Sequence, residues 1–412
     1  MNGGYAVVSH RYWGSPGGGQ LVDAAAAVAL SEAGFEPILT GTFPFDPSKY
    51  MEWYGIDLAK FKIITLSIGV KAFGLWTRLY AWRPAEVAVK KYRASLLFTD
   101  EQTYKPLLKY RESLRIIEYI HFPLEVVVDP KFKGSGLAYG EDPYIMERYG
   151  KFPLNIYWKI FTAMLPRYMR RNPFEDANAV LTNSKWTANV VKMVYGGEPI
   201  VLNPPIAPNT EASPSPSVEA RSRSIVMLGR FSEEKRYHWV VTEVMPKLIK
   251  QLPDARLIIF GGATTRTQIN YMNRVAEMAR RAGLSVNVGE PGGAAINIVP
   301  NAPRSSINSA MDSARAFLHA TINEHWGIAV AEAMARGLPI VVHKSGGAWT
   351  DLAEEGLRGV GYSDSDEAVQ GLIRLLSDDS DFKRFSTAAM EKTKGLTIRT
   401  FSDKLKEIVA KI

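Results

Sequence analysis

The 412-residue sequence contains no cysteine. That absence excludes disulfides, thiolate metal sites such as a zinc ribbon, and a cysteine nucleophile. No apolar run reaches the ~20 residues that span a bilayer as a helix. The chain passes almost at once into Tyr5-Ala6-Val7-Val8-Ser9, which reads as a core strand rather than a secretory signal. Together these features predict a cytoplasmic protein. Neither an internal repeat nor a nucleic-acid-recognition motif is present, so no nucleic-acid partner is expected. Histidine is scarce, and His10, His238, His319 and His343 show no metal-ligand spacing. A metal-dependent transferase needs an Asp-x-Asp pair after a strand; Asp364-Ser365-Asp366 stands just before a helical stretch, where capping is its expected work. Neither an essential metal nor a cofactor is therefore expected.

What the chain does have is the make-up of a soluble multidomain enzyme. Apolar residues are 46% and charged residues 22% of the total, and the length suits two or three domains. Short apolar runs alternate with helical stretches. Strands are expected at 5–9, 37–40, 63–66, 96–99, 115–119 and 179–182, with helices at 23–33, 83–93 and 185–194 between some of them. A second series of strands is expected at 224–228, 256–260, 285–288, 316–318 and 339–342. Such alternation predicts open, mostly parallel sheets covered on both faces. Pro204, Pro205, Pro208, Pro214 and Pro216 make a semi-extended connector between the two series. The expected division is an N-terminal domain at 1–205, a linker at 206–222, a C-terminal domain at 223–395, and a final helix at 396–412 that could cross back to the first domain.

The most informative stretch runs from Glu324 to Glu332, two carboxylates eight residues apart. A small apolar segment follows Glu324, and Gly337-Leu338-Pro339 closes it before a strand. Read as loop, helix, turn and strand, this puts Glu324 at a helix N-terminus and Glu332 about two turns further on. Unpaired amides and the helix dipole favour anionic or hydroxylated ligands there. Two such carboxylates could grip the ends of a long polar ligand, such as a sugar nucleotide; a plain surface pair is the structural alternative. Arg230 and Lys235 lie in Gly229-Arg230-Phe231-Ser232-Glu233-Glu234-Lys235, a strand-to-helix turn where ligands of α/β sheets bind. Fixed cations at that place can stabilise a diphosphate leaving group. Gly17-Gly18-Gly19 after the first strand lets backbone amides approach a phosphate or sugar.

The run Asn323-Glu324-His325-Trp326-Gly327-Ile328, with Ala333-Met334-Ala335-Arg336-Gly337 and the Ser345-Gly346-Gly347-Ala348 loop, resembles the signature of the retaining glycosyltransferases of family 4. Within that family it is most similar to the GDP-mannose-dependent α-1,2-mannosyltransferases that extend the dolichol-linked oligosaccharide. Specific likeness runs from about Asn301 to Leu352 and survives elsewhere as islands. Trp326 stands where that branch usually has phenylalanine, Ala348 where it often has proline, and Gln20 where the family usually has glutamate.

The resemblance implies an α/β GT-B fold, two doubly wound Rossmann-like domains facing across a cleft, and a retaining, metal-independent hexosyltransferase. It implies a nucleotide-sugar donor, GDP-mannose in the first instance, and a lipid-linked oligosaccharide acceptor. Arg230 and Lys235 would hold the diphosphate, Glu324 the transferred sugar and Glu332 the ribose. His121, in a His-Phe-Pro triplet after a strand, would reach the donor sugar. Gly17, Gly18 and Gly19 would form the acceptor-side loop. His325, Trp326, Gly327, Ile328, Ser345, Gly346 and Gly347 would complete the binding set. A UDP- or ADP-glucose-dependent enzyme of the same fold and a sugar-binding protein without turnover are the competing readings.

Charge is uneven along the chain. Between Thr65 and Arg115 ten Lys/Arg face four Asp/Glu, which places six of the formal +8 there. Lys71, Arg78 and Arg83 alternate with Trp76, Tyr80 and Trp82. From Lys151 to Asn172 five Lys/Arg, including Lys159, Arg167, Arg170 and Arg171, occur with no acid and several aromatics. Cations with interfacial aromatics suit an anionic membrane surface, so peripheral attachment on its cytoplasmic face is expected.

Overall fold

The computed structural model describes residues 4–67, 76–137, 149–210 and 220–412. Lys71 and the Ser213–Ser217 part of the expected connector lie outside them. The chain divides into two compact units: the N-terminal segment through Asn209 with Leu396–Ile412, and Thr210–Gly395.

Each unit is built on a seven-stranded, all-parallel sheet. In the first, β1 (Tyr5–Ser9) sits between β2 (Glu36–Gly41) and β4 (Leu96–Thr99). Val7 pairs with Ile38 on one side and Leu97 on the other. The order is β3 (Lys62–Thr65), β2, β1, β4, β5 (Arg115–Ile120), β6 (Ala179–Thr182) and β7 (Ile200–Val201). The second unit has β8 (Ser224–Leu228) between β9 (Arg256–Gly261) and β12 (Ala316–His319). Its order is β10 (Val286–Val288), β11 (Ile296–Pro300), β9, β8, β12, β13 (Ile340–His343) and β14 (Val360–Tyr362). Central strands are buried throughout, as Leu96–Thr99 and Ala316–His319 are, which is why they read as apolar runs rather than alternating ones. In both units the strand order reverses at the first strand of the unit. The carboxyl ends of strands at such a reversal are where α/β sheets bind ligands.

Local chemistry explains the helix limits. Ser184 Oγ accepts from the Thr187 amide to start Lys185–Tyr195, and Gly196 in the left-handed region ends it. Thr265 and Gln268 cap Arg266–Arg281 reciprocally. Asp364 Oδ1 accepts from the Asp366 and Glu367 amides, so the Asp-x-Asp pair is a helix cap. The helix expected to start near residue 23 runs Gly18–Glu32 and begins inside the glycine run, with no side-chain cap. Poor helix propensity hid that first turn, which the body of buried alanines and leucines stabilises.

Both described ends of the expected semi-extended connector are packed. Ile206 and Ala207 are buried, with the Ile206 amide donating to Leu396 O at 2.7 Å. Arg221 is buried and donates to the Met311 and Ala314 carbonyls. The last helix, Ile398–Lys411, belongs to the first unit and lies against Gly18–Glu32, with Lys406 3.4 Å from Glu32. Inside the first unit, Arg170 is fully buried between Glu118 and Glu125. It meets both Glu118 oxygens at 3.0–3.1 Å, and Tyr104 donates to the same carboxylate.

Candidate functional site

At the carboxyl ends of β8 and β12 three side chains converge. Lys235 Nζ donates to Glu324 Oε2 at 2.9 Å, and His319 Nε2 lies 2.9 Å from the same oxygen. Burial alone would raise the Glu324 carboxyl, but Lys235 and His319 outweigh it and hold the group well below the usual carboxylate range. Burial acts the other way on His319 and lowers its imidazole. The neutral ring then serves as a hydrogen-bond donor to Glu324.

Glu324 was expected in the first turn of a helix; it lies outside the helix, which runs Ile328–Ala335. Asn323 at φ 54° and Gly327 at φ 97° turn the chain sharply on either side of Glu324, and no helix continues through them. The turn is locked from outside. Gly347 donates its amide to Glu324 O at 2.7 Å, and Ser345 Oγ accepts from the Asn323 amide at 2.7 Å. A Cβ on Gly346, itself at φ 75°, would collide with the Glu324 backbone. In this structure Ser345, Gly346 and Gly347 thus hold the Glu324 loop in place.

Glu332 is nearly buried, and Arg304 grips both its oxygens at 3.0 and 3.1 Å, the bidentate geometry that suits a guanidinium. Arg230 shares the loop of Lys235, yet its side chain is 71% exposed and its ion-pair partner is Glu234 at 3.5 Å. Trp326 is buried with its indole N–H unpartnered among the described residues, so its ring is part of the wall. Gly327 is buried, while His325 and Ile328 are half-buried on the same turn.

The first unit gathers a different set at the ends of β1, β4 and β5. His10 Nδ1 lies 2.8 Å from Asp100 Oδ2 and 3.0 Å from Asp23 Oδ2. His121 Nε2 is 3.3 Å from Asp100 Oδ2, and Gln20 Nε2 is 3.1 Å from His10 Nε2. Gly19 fits against this set: a Cβ there would touch Asp100, His121 and His10. Tyr54 pins the preceding loop by accepting from the Gly17 amide and donating to its carbonyl; Gly18 opens the helix. Asp23, inside that helix, is fully buried with neither oxygen in a well-formed hydrogen bond. Burial and the Asp100 charge push its carboxyl up to about 7, while His10 pulls the other way. Burial also works against charge on His10, but Asp100 and Asp23 together raise it well above the ordinary imidazole value. Among the described residues, His10, Asp23 and Asp100 are the one group whose ligand atoms lie close enough to hold a metal ion. Spacing along the sequence does not show such a group, because its members come from three separate elements.

Comparison with known proteins bears on the second set directly. Residues 209–392 match the family model described as "Glycosyl transferases group 1". The matched segment, here the group 1 domain, contains Arg230, Lys235, Arg304, His319, Glu324 and Glu332 alike. The chain is 24% identical over 322 residues to the human "GDP-Man:Man(3)GlcNAc(2)-PP-Dol alpha-1,2-mannosyltransferase", covering 74% of this chain and 61% of that protein. The Dictyostelium discoideum protein of the same name is 20% identical over 362 residues, covering 84% and 66%. The chain thus spans about three-fifths to two-thirds of the length of these relatives. Among solved structures, Anabaena Alr3699/HepE in complex with UDP-glucose superposes at a TM-score of 0.69 with 16% identity, over 99% of this chain and all of that one. Sucrose-phosphate synthase from Thermosynechococcus elongatus gives 0.69 at 16%, over 99% and 98%. The fold is GT-B.

Outside the group 1 domain, two cations assigned to a basic surface are not free there. Arg170 is consumed by Glu118 and Glu125 in the core. Arg78 is half-buried, and burial together with Arg11 pushes it down to about 10. Among the described residues no helix is long and apolar enough to cross a membrane.

Proposed function

We propose that the chain is a retaining hexosyltransferase that moves mannose from GDP-mannose to a lipid-diphosphate-linked oligosaccharide, with no essential metal. The observation that carries the reading is the Lys235–Glu324–His319 cluster at the strand-order reversal of the group 1 domain. The names of the similar mannosyltransferases supply the donor and acceptor classes. In the proposed step the bond from the anomeric carbon to the diphosphate oxygen breaks while the acceptor oxygen bonds to the same face of the sugar. The acceptor proton passes to the departing diphosphate, so GDP leaves and configuration is retained. Lys235 and the exposed Arg230 stabilise the charge that grows on the diphosphate. Glu324, kept ionised, accepts hydrogen bonds from sugar hydroxyls, and Glu332 takes the ribose. His121 and the Gly17–Gly19 turn serve the sugar and acceptor side. An acceptor of this class places the enzyme peripherally on the cytoplasmic face of a membrane.

Turnover of GDP-, UDP- and ADP-sugars with a long-chain lipid-diphosphate acceptor, read with the anomeric configuration of the product, tests the proposal. GDP-mannose with retention is the expected result. An inverted product overturns the mechanism. Preference for UDP- or ADP-glucose replaces the donor, and binding without turnover of any sugar nucleotide makes the chain a binding protein.

A further inference from the structure

The helix Leu154–Met164 is apolar on both of its sides. Its inner side, through Trp158 and Phe161, joins a cluster with Leu79 and Leu165. Its outer side leaves Ile156 and Ile160 about half exposed, and Phe152 just before it is 79% exposed. At 100° per residue, positions 156, 160 and 163 share one face, with Lys159 at its margin. Asn155, Lys159 and Thr162 form a narrow polar strip between the two apolar faces, and a contiguous exposed apolar patch marks an interaction site.

Along the segment that carries this face the charge is of one sign. No acidic residue occurs from Lys151 to Asn172; Lys151, Lys159, Arg167 and Arg171 are exposed, while Arg170 is spent internally. A second copy docked through the same face would bring two cationic rims together. An anionic bilayer meets both features at once, taking the apolar side chains into its interface and the cations to its headgroups. We infer that the outer face of Leu154–Met164 docks on an anionic lipid bilayer, the helix lying in the interface plane with Phe152, Ile156 and Ile160 inserted. The inference deepens the proposed function, on which it rests only for the reason a lipid surface would be needed.

The test is co-flotation of the full chain with phosphatidylcholine vesicles, with and without phosphatidylserine. The wild type is expected to float with phosphatidylserine at low salt and to be released near 1 M salt, where the Debye length falls to about 3 Å. Ile156→Ser combined with Ile160→Ser, both at exposed positions, should weaken partitioning by roughly tenfold or more, and Lys151→Glu with Lys159→Glu by a similar factor. Far-ultraviolet circular dichroism checks that the variants fold. Indifference to phosphatidylserine, or flotation of the double serine variant like the wild type, overturns the inference. A concentration-dependent dimer abolished by the serine variants, without flotation, also overturns it and assigns the face to a second copy. Hydrolysis of GDP-mannose by the same samples needs no lipid, so a wild type that hydrolyses the donor without floating rejects the docking face alone. Flotation without hydrolysis rejects the transferase reading alone.

Discussion

Both sheets reverse their strand order at the first strand of the unit, and the two reversals differ in how they treat buried charge. In the second unit Glu324 and Glu332 each have a cation of their own, Lys235 and Arg304. In the first unit Asp23 and Asp100 must share His10, with His121 touching Asp100 alone. Matched pairs keep Glu324 ionised, whereas the crowded pair drives the Asp23 carboxyl up to about 7. In the proposed function the first of these ends meets the anionic donor, with Arg230 still exposed. The other holds an adjustable store of protons. A shared reversal at the first strand fixes where a site forms and leaves its electrostatics to a handful of side chains.

The largest effect is expected where the matched pair is broken. Lys235→Ala removes a cation from the proposed diphosphate site and leaves Glu324 with His319 as its remaining side-chain hydrogen-bond partner among the described residues. Turnover of GDP-mannose should fall by at least ~10², with an added loss of stability because an unpaired buried carboxylate is costly. Glu324→Ala should impair transfer while sparing the binding of free GDP. Near wild-type turnover in Lys235→Ala would remove the contrast between the two sites.

A smaller and opposite effect is expected from Asp23→Asn, where a charge is relieved rather than exposed. Asp23 has an ordinary value of 3.8 and a folded value of about 7. Between them the folded chain holds a proton that the unfolded chain has released, so Asp23 makes stability fall as pH rises from about 4 to about 7. His10, raised by its carboxylate neighbours, acts with the same sign above its ordinary 6.5. Asp100 is lowered, so its contribution is complete above 3.8 and is lost only in strong acid. Tyr50 and Tyr119 also feel the Asp23 charge. Asp23→Asn should therefore stabilise the chain more at about pH 8 than at about pH 5, by a difference of about 2–3 kcal/mol. Urea unfolding at the two pH values measures it; a variant equally or less stable than wild type at the higher pH would show that Asp23 is not the strained member.

How much of this could be read from residues alone differs between the sites for a physical reason. The group 1 site is carried by contiguous runs, Gly229–Lys235 and Asn323–Glu332, so spacing and resemblance both point to it. Its fold was legible because buried parallel strands are apolar runs. Strands of two or three residues, or one set inside a glycine-rich stretch, gave no such run, and Ile200–Val201, Ile296–Pro300 and Val360–Tyr362 went unread. The first-unit cluster is assembled from single residues far apart in sequence. His10, Asp100 and His121 each follow a buried strand by one residue, and Asp23 sits in an apolar helix. A polar residue directly after several parallel strands is a usable signal, because those ends converge. His319, the last residue of β12, carries the same signal. Arg304 carries none, since its pairing with Glu332 depends on how two helices sit in space. Asn323 and Gly327 in the left-handed region were equally invisible, and with them the displacement of Glu324 out of the helix.

Arg304 sets the smallest of the effects. Its guanidinium holds both Glu332 oxygens, which uses one lone pair on each and leaves the others to a ligand. If Glu332 receives the ribose, Arg304 is its positioning residue, and its removal should loosen the carboxylate without removing it. Arg304→Ala should weaken GDP binding by roughly tenfold, about 1.4 kcal/mol. Lysine can restore the charge but not the bidentate grip, so Arg304→Lys should recover only part of that loss. Glu332→Ala should cost at least as much as Arg304→Ala, and the double variant little more than Glu332→Ala, since the two residues act through one carboxylate. Calorimetry with GDP on the four proteins decides the matter. Additive losses would mean that Arg304 meets the nucleotide by itself, and an unchanged dissociation constant in Arg304→Ala would reduce the pair to a helix-to-helix brace.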